Sequence, residues 1–260
     1  MNRRRTVAVV VLAIAVALLY GLFGYHPAAA GTDAPFDDAE PDGSYSSNMS
    51  LSTNGNQFVA YDISNDEPDG EMLLTAEFED VTYTTYWHEN RSVTRSVAST
   101  ATQYEQLLEL SADERLVRQN NETMTAVVVD TDEESPGGGR SLLLTVLEYP
   151  EYERTGTTTY EGRKVAVYAA QSGWYNTANF ESGRTAYNVE LASGVLYVDA
   201  ETDQLLYANV TFRFVRAETV GEYLLNKHLR GESATTSIDV AVDPGPTNVT
   251  RPEWAPESDD

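Results

Sequence analysis

In the stretch LLYANVTFRFV, residues 205–215, every second side chain is apolar. This alternation has the period of a β-strand, whose successive side chains point to opposite faces of a sheet. One buried face and one solvated face are typical of an antiparallel sheet that is covered on one side. The predicted buried face carries Leu206, Ala208, Val210, Phe212 and Phe214, and the predicted solvated face carries Tyr207, Asn209, Thr211 and Arg213.

The same alternation occurs earlier, over residues 74–88. Turn-forming residues separate such runs: Glu161 and Gly162 lie between TGTTTY and RKVAVYAA, and residues 199–203 lie between VLYV and QLLYANV. Strands joined by connections this short have to be antiparallel. In the earlier stretch, one predicted face carries Leu74, Ala76, Phe78, Val81, Tyr83, Thr85 and Trp87, and the opposite face of the second strand carries Thr82, Thr84, Tyr86 and His88.

Helical spacing of apolar residues is confined to three short segments, residues 102–110, 141–148 and 218–229. Gly231 follows the last of them and predicts its end. An apolar sheet face has to be covered, and these short helices are the available cover. The predicted fold class is therefore α+β and β-dominated. We expect a curved, half-open antiparallel sheet, a few short helices on its concave face, and an N-terminal transmembrane helix.

Residues 6–24 read TVAVVVLAIAVALLYGLFG and contain no charged side chain. A helix needs about 20 apolar residues to cross a bilayer, whereas the apolar part of a signal peptide has about 7 to 15. Residues 3–5 are three arginines, which the positive-inside rule keeps in the cytoplasm. We therefore expect a single-pass protein of the cell membrane with the bulk of the chain extracellular. Residues 28–30 are three alanines, and cleavage after Ala30 would instead secrete the remainder.

These patterns predict four parts of the chain. Residues 1–30 are the signal anchor or signal peptide. Residues 31–57 are rich in Ala, Gly, Asp, Ser, Pro and Asn, which predicts a flexible linker. The antiparallel β domain is predicted over residues 58–254, and a disordered acidic tail over residues 255–260.

Acidic residues dominate the composition: 41 Asp and Glu against 17 Lys and Arg give a formal net charge of −24. A field of that sign repels phosphate backbones, so we expect no nucleic-acid partner. The basic residues are 15 Arg and 2 Lys, a composition that resembles halophilic archaeal proteins. A dense carboxylate surface repels itself until salt shortens the Debye length, to about 3 Å at 1 M. The absence of cysteine excludes disulfides, thiolate metal sites and a Cys-linked lipid.

Five Asn-x-Ser/Thr sequons agree with an exterior location, because this motif is the acceptor for N-glycosylation. Each match is short, so its use stays a prediction. The candidate glycosylation sites are Asn48, Asn90, Asn121, Asn209 and Asn248.

Three segments resemble a known family: LEYPEYERTGTTTYEGRKVAVYAA from Leu147, GVLYVDAETDQLLYANVTFRF from Gly194, and TNVTRPEWAPES from Thr247. They are similar to exported haloarchaeal proteins of unknown role, often lipoproteins, which are similar in outline to the LolA and LppX/LprG lipoprotein folds. Gly162 matches the turn glycine of that family, and residues 252–254 match its terminal Pro-acid-Trp motif. The resemblance covers about the second half of the domain and implies a half-open sheet around an apolar cavity for acyl chains. No cysteine follows the apolar segment, so membrane attachment would come from the helix itself.

The resemblance and the one-sided strands together favour a non-catalytic domain that binds a lipid or another apolar ligand. If the helices leave part of the concave face open, Phe78, Trp87, Phe212 and Phe214 would line the slot. The alternative is a completely filled face, because protein interiors pack about as densely as organic crystals. The domain would then be a structural or sensing module of the archaeal cell envelope that contacts an envelope protein.

Residues suited to catalysis are scarce in this sequence. Outside the N-terminal segment the histidines are His88 and His228. The string GESAT at residues 231–235 lacks the last glycine of a nucleophile elbow. Ser92 stands where a zinc-binding motif beginning at His88 needs its second histidine. We therefore expect no enzyme activity, no catalytic residue, no metal site and no cofactor.

Overall fold

The computed structural model describes residues 21–27, 34–36, 43–88, 91–110, 115–130, 144, 146–148, 150–179 and 183–256. These residues build one sheet of 13 strands, two short α-helices that are described along their whole length, a π-helical turn, and helical residues at 21–24 and at 144, 146 and 147. In chain order they are β1 Tyr45–Thr53, β2 Asn56–Asp66, β3 Glu71–Phe78, β4 Val81–His88, β5 Arg91–Ala98, α1 Ala101–Leu110, β6 Arg115–Asn120, β7 Thr125–Asp130, β8 Tyr152–Tyr160, β9 Arg163–Ala170, β10 Gly173–Asn179, β11 Gly183–Asp199, β12 Leu205–Arg216, α2 Val220–Leu225, the π-helical turn Asn226–Arg230 and β13 Ser233–Pro244.

The strands follow the order β6-β7-β5-β4-β3-β2-β1-β13-β12-β11-β9-β8, and β10 pairs with β11. Every pairing is antiparallel. The path ends at β6 and at β8, so the sheet is open. The predicted class, a β-dominated open antiparallel sheet with a few short helices, is confirmed at this level.

Strand β12 shows the predicted alternation, with Phe212 buried while Asn209 and Arg213 are exposed. At its end the pattern shifts, because Phe214 is half-buried and Val215 is buried. The main core lies on the face of the sheet that carries Phe212, which we call the inner face. Its members include Met49, Leu51, Val59, Tyr61, Ile63, Met72, Ala76, Trp87, Leu196, Val198, Ala208, Val210, Ile238, Val240 and Val242.

The predicted linker over residues 31–57 is wrong in its second half, since β1 lies within it. Strand β1 reads YSSNMSLST and is central, hydrogen-bonded to β2 on one side and β13 on the other. The strand was not predicted because its serines resemble the composition of a linker. Tyr45, Met49 and Leu51 nevertheless keep the period of two and are buried. Phe36 also packs into the main core. The folded domain therefore includes residues that were expected to be a spacer.

The boundary predicted between residues 254 and 255 is also wrong, because Ala255 is buried. Ala255 and Trp254 pack with Tyr86 and Val93 on the face of the sheet opposite the inner face. Tyr86 was predicted to lie on a solvated face, and the C-terminal segment buries it. Residues 257–260 lie outside the described residues.

The predicted helices at 102–110 and 218–229 correspond to α1 and to α2 with its π-helical turn. Helix α1 packs Tyr104 and Leu107 against Ala98, with Tyr83 beside them. Of the predicted segment 141–148, Leu144 lies in the main core.

Most of the predicted membrane span lies outside the described residues, which begin at residue 21. Residues 21–24 are helical. Among the described residues, no helix is long and apolar enough to span a bilayer.

Candidate apolar binding face

The inner face carries the largest apolar cluster of the described structure. Its side chains come from strands β1 to β4 on one side and β11 to β13 on the other, each contributing every second residue. Local alternation positions them, because consecutive strand residues point to opposite faces.

The four predicted ligand residues lie on this face or at its margin. Phe212 is fully buried and Trp87 is buried. Phe214 is half-buried and packs against the core. Phe78 is the most open of them, with 36% of its surface exposed.

The four residues come from three strands of the sheet. Phe212 and Phe214 are neighbours on β12, with ring centroids 5.8 Å apart. Phe78 and Trp87 lie at opposite ends of the β3–β4 pair, since Phe78 is opposite Val81 and Trp87 is opposite Met72. Strands β2, β1 and β13 separate β3 from β12. The structure therefore places an aromatic pair on β12 and two separate aromatic residues on β3 and β4.

Sequence reasoning missed two tyrosines of the site, Tyr61 and Tyr83. The Phe78 ring contacts both edge to face, with centroids 6.3 Å from Tyr61 and 5.8 Å from Tyr83. Burial raises the pKa of both phenols above the ordinary value of a tyrosine. The alternation of Val59, Tyr61 and Ile63 was the signal that could have identified Tyr61.

Part of the inner face is covered by a short segment before β8. Leu144 and Leu147 are buried in the main core. The Tyr152 hydroxyl donates a hydrogen bond of 2.6 Å to the carbonyl oxygen of Leu147 and fixes this segment to the start of β8. Burial, followed by the charge of Glu148, raises the pKa of Tyr152, which keeps this donor protonated.

Two polar atoms within this apolar environment have no hydrogen-bond partner among the described residues. They are Oγ of Ser47 on β1 and Nε1 of Trp87 on β4. A buried polar group without a partner costs about 1–3 kcal/mol. Native structures contain few such groups, and each calls for a physical explanation.

The residues considered for catalysis do not assemble into a site. His88, His228 and Ser233 are all exposed, and no hydrogen bond between them is present in the described part of the chain. Among the described residues, no three His, Asp or Glu side chains are grouped so that they could hold a metal ion. The acidic stretch at the β2–β3 connection is a hairpin turn, in which the Gly70 amide donates to the Glu67 carbonyl oxygen at 3.1 Å.

Several solved structures match this chain at low scores. MucB matches over 84% of this chain and 64% of its own, with a TM-score of 0.32 and 12% identity. The Mycobacterium tuberculosis lipoprotein LppX matches over 79% and 88%, with a TM-score of 0.29 and 10% identity. An outer membrane lipoprotein-sorting protein domain from Vibrio parahaemolyticus matches over 80% and 88%, with a TM-score of 0.19 and 9% identity.

The chain thus spans less than two thirds of the length of MucB, and these scores limit the likeness to the outline of the fold. No family model and no curated protein matches the chain. LppX is among the matched structures, and the predicted similarity to the LolA and LppX folds stays a prediction. Membership of a haloarchaeal family stays a prediction.

Four of the five sequons lie at exposed positions. Asn48 on β1 and Asn209 on β12 donate side-chain hydrogen bonds to Asp62 and Asp239 on the neighbouring strands. Asn121 and Asn248 are exposed outside the strands. Asn90 lies outside the described residues.

Proposed function

We propose that this protein is a non-catalytic, membrane-tethered extracellular domain whose inner face binds a lipid or another apolar ligand. The tether is the apolar segment at residues 6–24 with its preceding arginines. The acidic composition and the exposed sequons support the extracellular location.

The observation that carries the ligand proposal is the pair of unpartnered polar atoms, Ser47 Oγ and Trp87 Nε1, within an apolar face. Binding sites for small apolar molecules are lined mainly by hydrophobic and aromatic side chains, with a few polar groups that orient the ligand. A ligand with an apolar chain and a polar head would fit this pattern. Its head would offer a hydrogen bond to one of these atoms, which lie on strands separated by β2 and β3.

The direct test is to purify the full chain at high salt and to measure bound lipid by native mass spectrometry and by solvent extraction. Bound lipid at a reproducible ratio supports the proposal. Protein that is repeatedly empty and takes up no added phospholipid or fatty acid overturns it.

A matched pair of variants locates the ligand. Trp87→Phe removes the indole N–H on the inner face, whereas Trp254→Phe removes one near the opposite face, where Trp254 packs beside Ala255. We expect lower lipid occupancy for W87F and unchanged occupancy for W254F. Equal occupancy in both variants would place the ligand elsewhere.

The second candidate is a structural or sensing module without a ligand cavity. It is favoured by the dense packing of the inner face, where Phe212, Leu147 and Ile238 are fully buried. It predicts that cross-linking in intact cells captures one reproducible envelope protein and that the purified domain contains no lipid.

A further inference from the structure

Exposed apolar side chains are concentrated at one end of the sheet. Antiparallel register brings together the end of β12 at Arg216, the start of β13 at Ser233, the β1–β2 hairpin and the β3–β4 hairpin. We call this the α2 end, because helix α2 follows β12 there. Of nine large hydrophobic side chains exposed in the described part of the chain, seven lie at the α2 end: Phe23, Tyr25, Phe58, Phe78, Leu191, Leu224 and Leu229.

The N-terminal apolar segment ends at the same place. The Phe23 ring lies directly over Gly221 in α2, where an added Cβ would come within 2.7 Å of the ring. A cavity of about 410 Å³ beside this contact has both basic and acidic side chains in its lining, which consists of Phe23, Arg216, Ala217, Glu218, Glu222, Leu225, Asn226 and Arg230. Residue 24, which ends the predicted membrane span, is therefore adjacent to α2.

The most exposed of these side chains is held on a rigid element. Leu229 is 79% exposed and lies in the π-helical turn, which ends at Gly231 in the left-handed conformation. The Glu190 carboxylate on β11 anchors this turn: its Oε1 accepts hydrogen bonds from Lys227 Nζ at 2.6 Å and from the Tyr223 hydroxyl at 2.7 Å. A large side chain fixed so far into solvent suggests a contact with an apolar phase.

The segment that carries α2 and the π-helical turn is less acidic than the chain as a whole. Residues 213–232 contain four Lys and Arg and three Asp and Glu, so their formal charge is +4 − 3 = +1, against −24 for the whole chain. Glu79, Asp80 and Glu190 lie elsewhere at the α2 end, so this segment is the part that meets least repulsion at anionic lipid headgroups. Leucine and phenylalanine beside basic side chains are typical of segments that lie in a membrane interface.

We propose that the α2 end rests on the lipid bilayer, with Leu224 and Leu229 inserted among the headgroups. This goes beyond the proposed function, because it assigns membrane contact to an outer surface of the domain, whereas the proposed ligand site is the inner face. Both proposals rely on the same N-terminal membrane tether. It also orients the domain. Phe78, which lies at the margin of the inner face, would then face the membrane.

The absence of native cysteine makes a site-specific test possible, since a single Leu229→Cys change creates the one thiol in the chain. The full-length L229C variant is labelled with an environment-sensitive fluorophore and reconstituted into vesicles of phosphatidylglycerol and phosphatidylcholine. Asp69→Cys is the matched control, because Asp69 is exposed in the β2–β3 turn at the opposite end of the sheet. We expect a blue-shifted emission and quenching by brominated lipid for L229C, and neither for D69C.

Solvent-like emission from both labels would overturn the proposal. Protection of L229C in vesicles without quenching by brominated lipid would also overturn it, by revealing a protein contact. A Leu224→Ser change in the L229C background should reduce the quenching. Because none of these signals depends on lipid at the inner face, a failed lipid-occupancy test leaves this measurement interpretable.

Discussion

Lys227 Nζ lies 2.6 Å from Oε1 of Glu190 and joins the π-helical turn after β12 to strand β11. Arg213 Nε donates to the other carboxylate oxygen at 3.0 Å. The Glu190 side chain is 6% exposed, so these partners hold a nearly buried charge. The contact ties the α2 end to the sheet.

We expect this contact to be lost in acid. Burial acts to raise the pKa of Glu190, but hydrogen bonds from Lys227 and Tyr223 and the charges of Lys227 and Arg213 outweigh it and lower the pKa below its ordinary value. A lowered folded-state pKa contributes stability above the unfolded-state pKa of about 4.3, and that stability is lost as the pH falls through the folded value. At pH 7, Glu190→Gln should destabilise the fold by about 1 kcal/mol. This is a small value for a charged hydrogen-bonded group, because solvent screens the partly exposed Lys227 and Arg213.

The measurement is urea unfolding of the parent and E190Q between pH 3 and 7 at constant salt. The difference between the two proteins should shrink as the pH falls below 4. A difference that is independent of pH would show that the carboxylate charge is not responsible.

Gly194 is expected to tolerate no side chain. It has φ of +111°, and an added Cβ would lie 1.9 Å from the carbonyl oxygen of Asn209 on β12. Gly194→Ala should destabilise the fold by more than about 3 kcal/mol or prevent folding. Gly156 on β8 has open space around its Cβ position, so Gly156→Ala is the control and should change the stability by less than about 1 kcal/mol. Equal stability of both variants in denaturant unfolding would contradict the backbone geometry.

Thr219 caps helix α2, and its Oγ1 accepts a hydrogen bond from the Glu222 amide at 3.1 Å. Replacement by alanine should cost about 1 kcal/mol, whereas Thr219→Ser should retain the cap. Amide hydrogen exchange should show faster exchange in α2 for T219A and parent-like exchange for T219S. Unchanged exchange in T219A would mean that packing, rather than the cap, holds the helix.

Ser47 distinguishes an empty inner face from an occupied one. In lipid-free protein, Ser47→Ala removes an unpartnered buried oxygen and should stabilise the fold by about 1 kcal/mol. Ser46 is its neighbour on β1 and points to the opposite face, so Ser46→Ala should have little effect. If the Ser47 hydroxyl binds the ligand head, S47A should also reduce the thermal stabilisation that added lipid produces. Destabilisation of the lipid-free protein by S47A would show that the hydroxyl has a partner.

The net charge of −24 predicts that stability rises with salt. Screening shortens the Debye length from about 10 Å at 0.1 M to about 3 Å at 1 M and so weakens the repulsion among the carboxylates. The melting temperature should rise with KCl concentration and should rise less in sucrose at equal osmolality. Identical behaviour in KCl and sucrose would exclude charge screening as the cause.

The sequence predicted features that depend on near neighbours in the chain. The β8–β9 hairpin is one of them, because Glu161 and Gly162 both adopt positive φ, of 47° and 79°. The turn between β11 and β12 is another, where the Asp199 carboxylate accepts a hydrogen bond from the Glu201 amide at 2.8 Å. Strand β12 and the end of the π-helical turn at Gly231 were also predicted correctly.

The candidate site was predicted less well, because alternation assigns a residue to a face but not to a neighbour on a distant strand. Phe212 and Phe214 were correctly placed together, since both lie on β12. Their distance from Phe78 depends on strand order, which inserts β13, β1 and β2 between them. The central position of β1 was missed because its serines resemble a linker, and strand pairing rather than its own hydrophobicity holds it in place.

The sequence by itself determined the strands, the turns, the helix ends and the net acidic charge. Covalent geometry and neighbouring residues set the local period of the backbone, and the composition sets the charge. Tertiary structure decided that the C-terminal segment buries Tyr86, that Glu190 meets Lys227, and that exposed apolar residues from distant segments share the α2 end. Those outcomes depend on which surfaces are buried together once the whole sheet has formed. Local alternation identifies the buried face of a strand, but which distant segments cover that face is a property of the assembled chain.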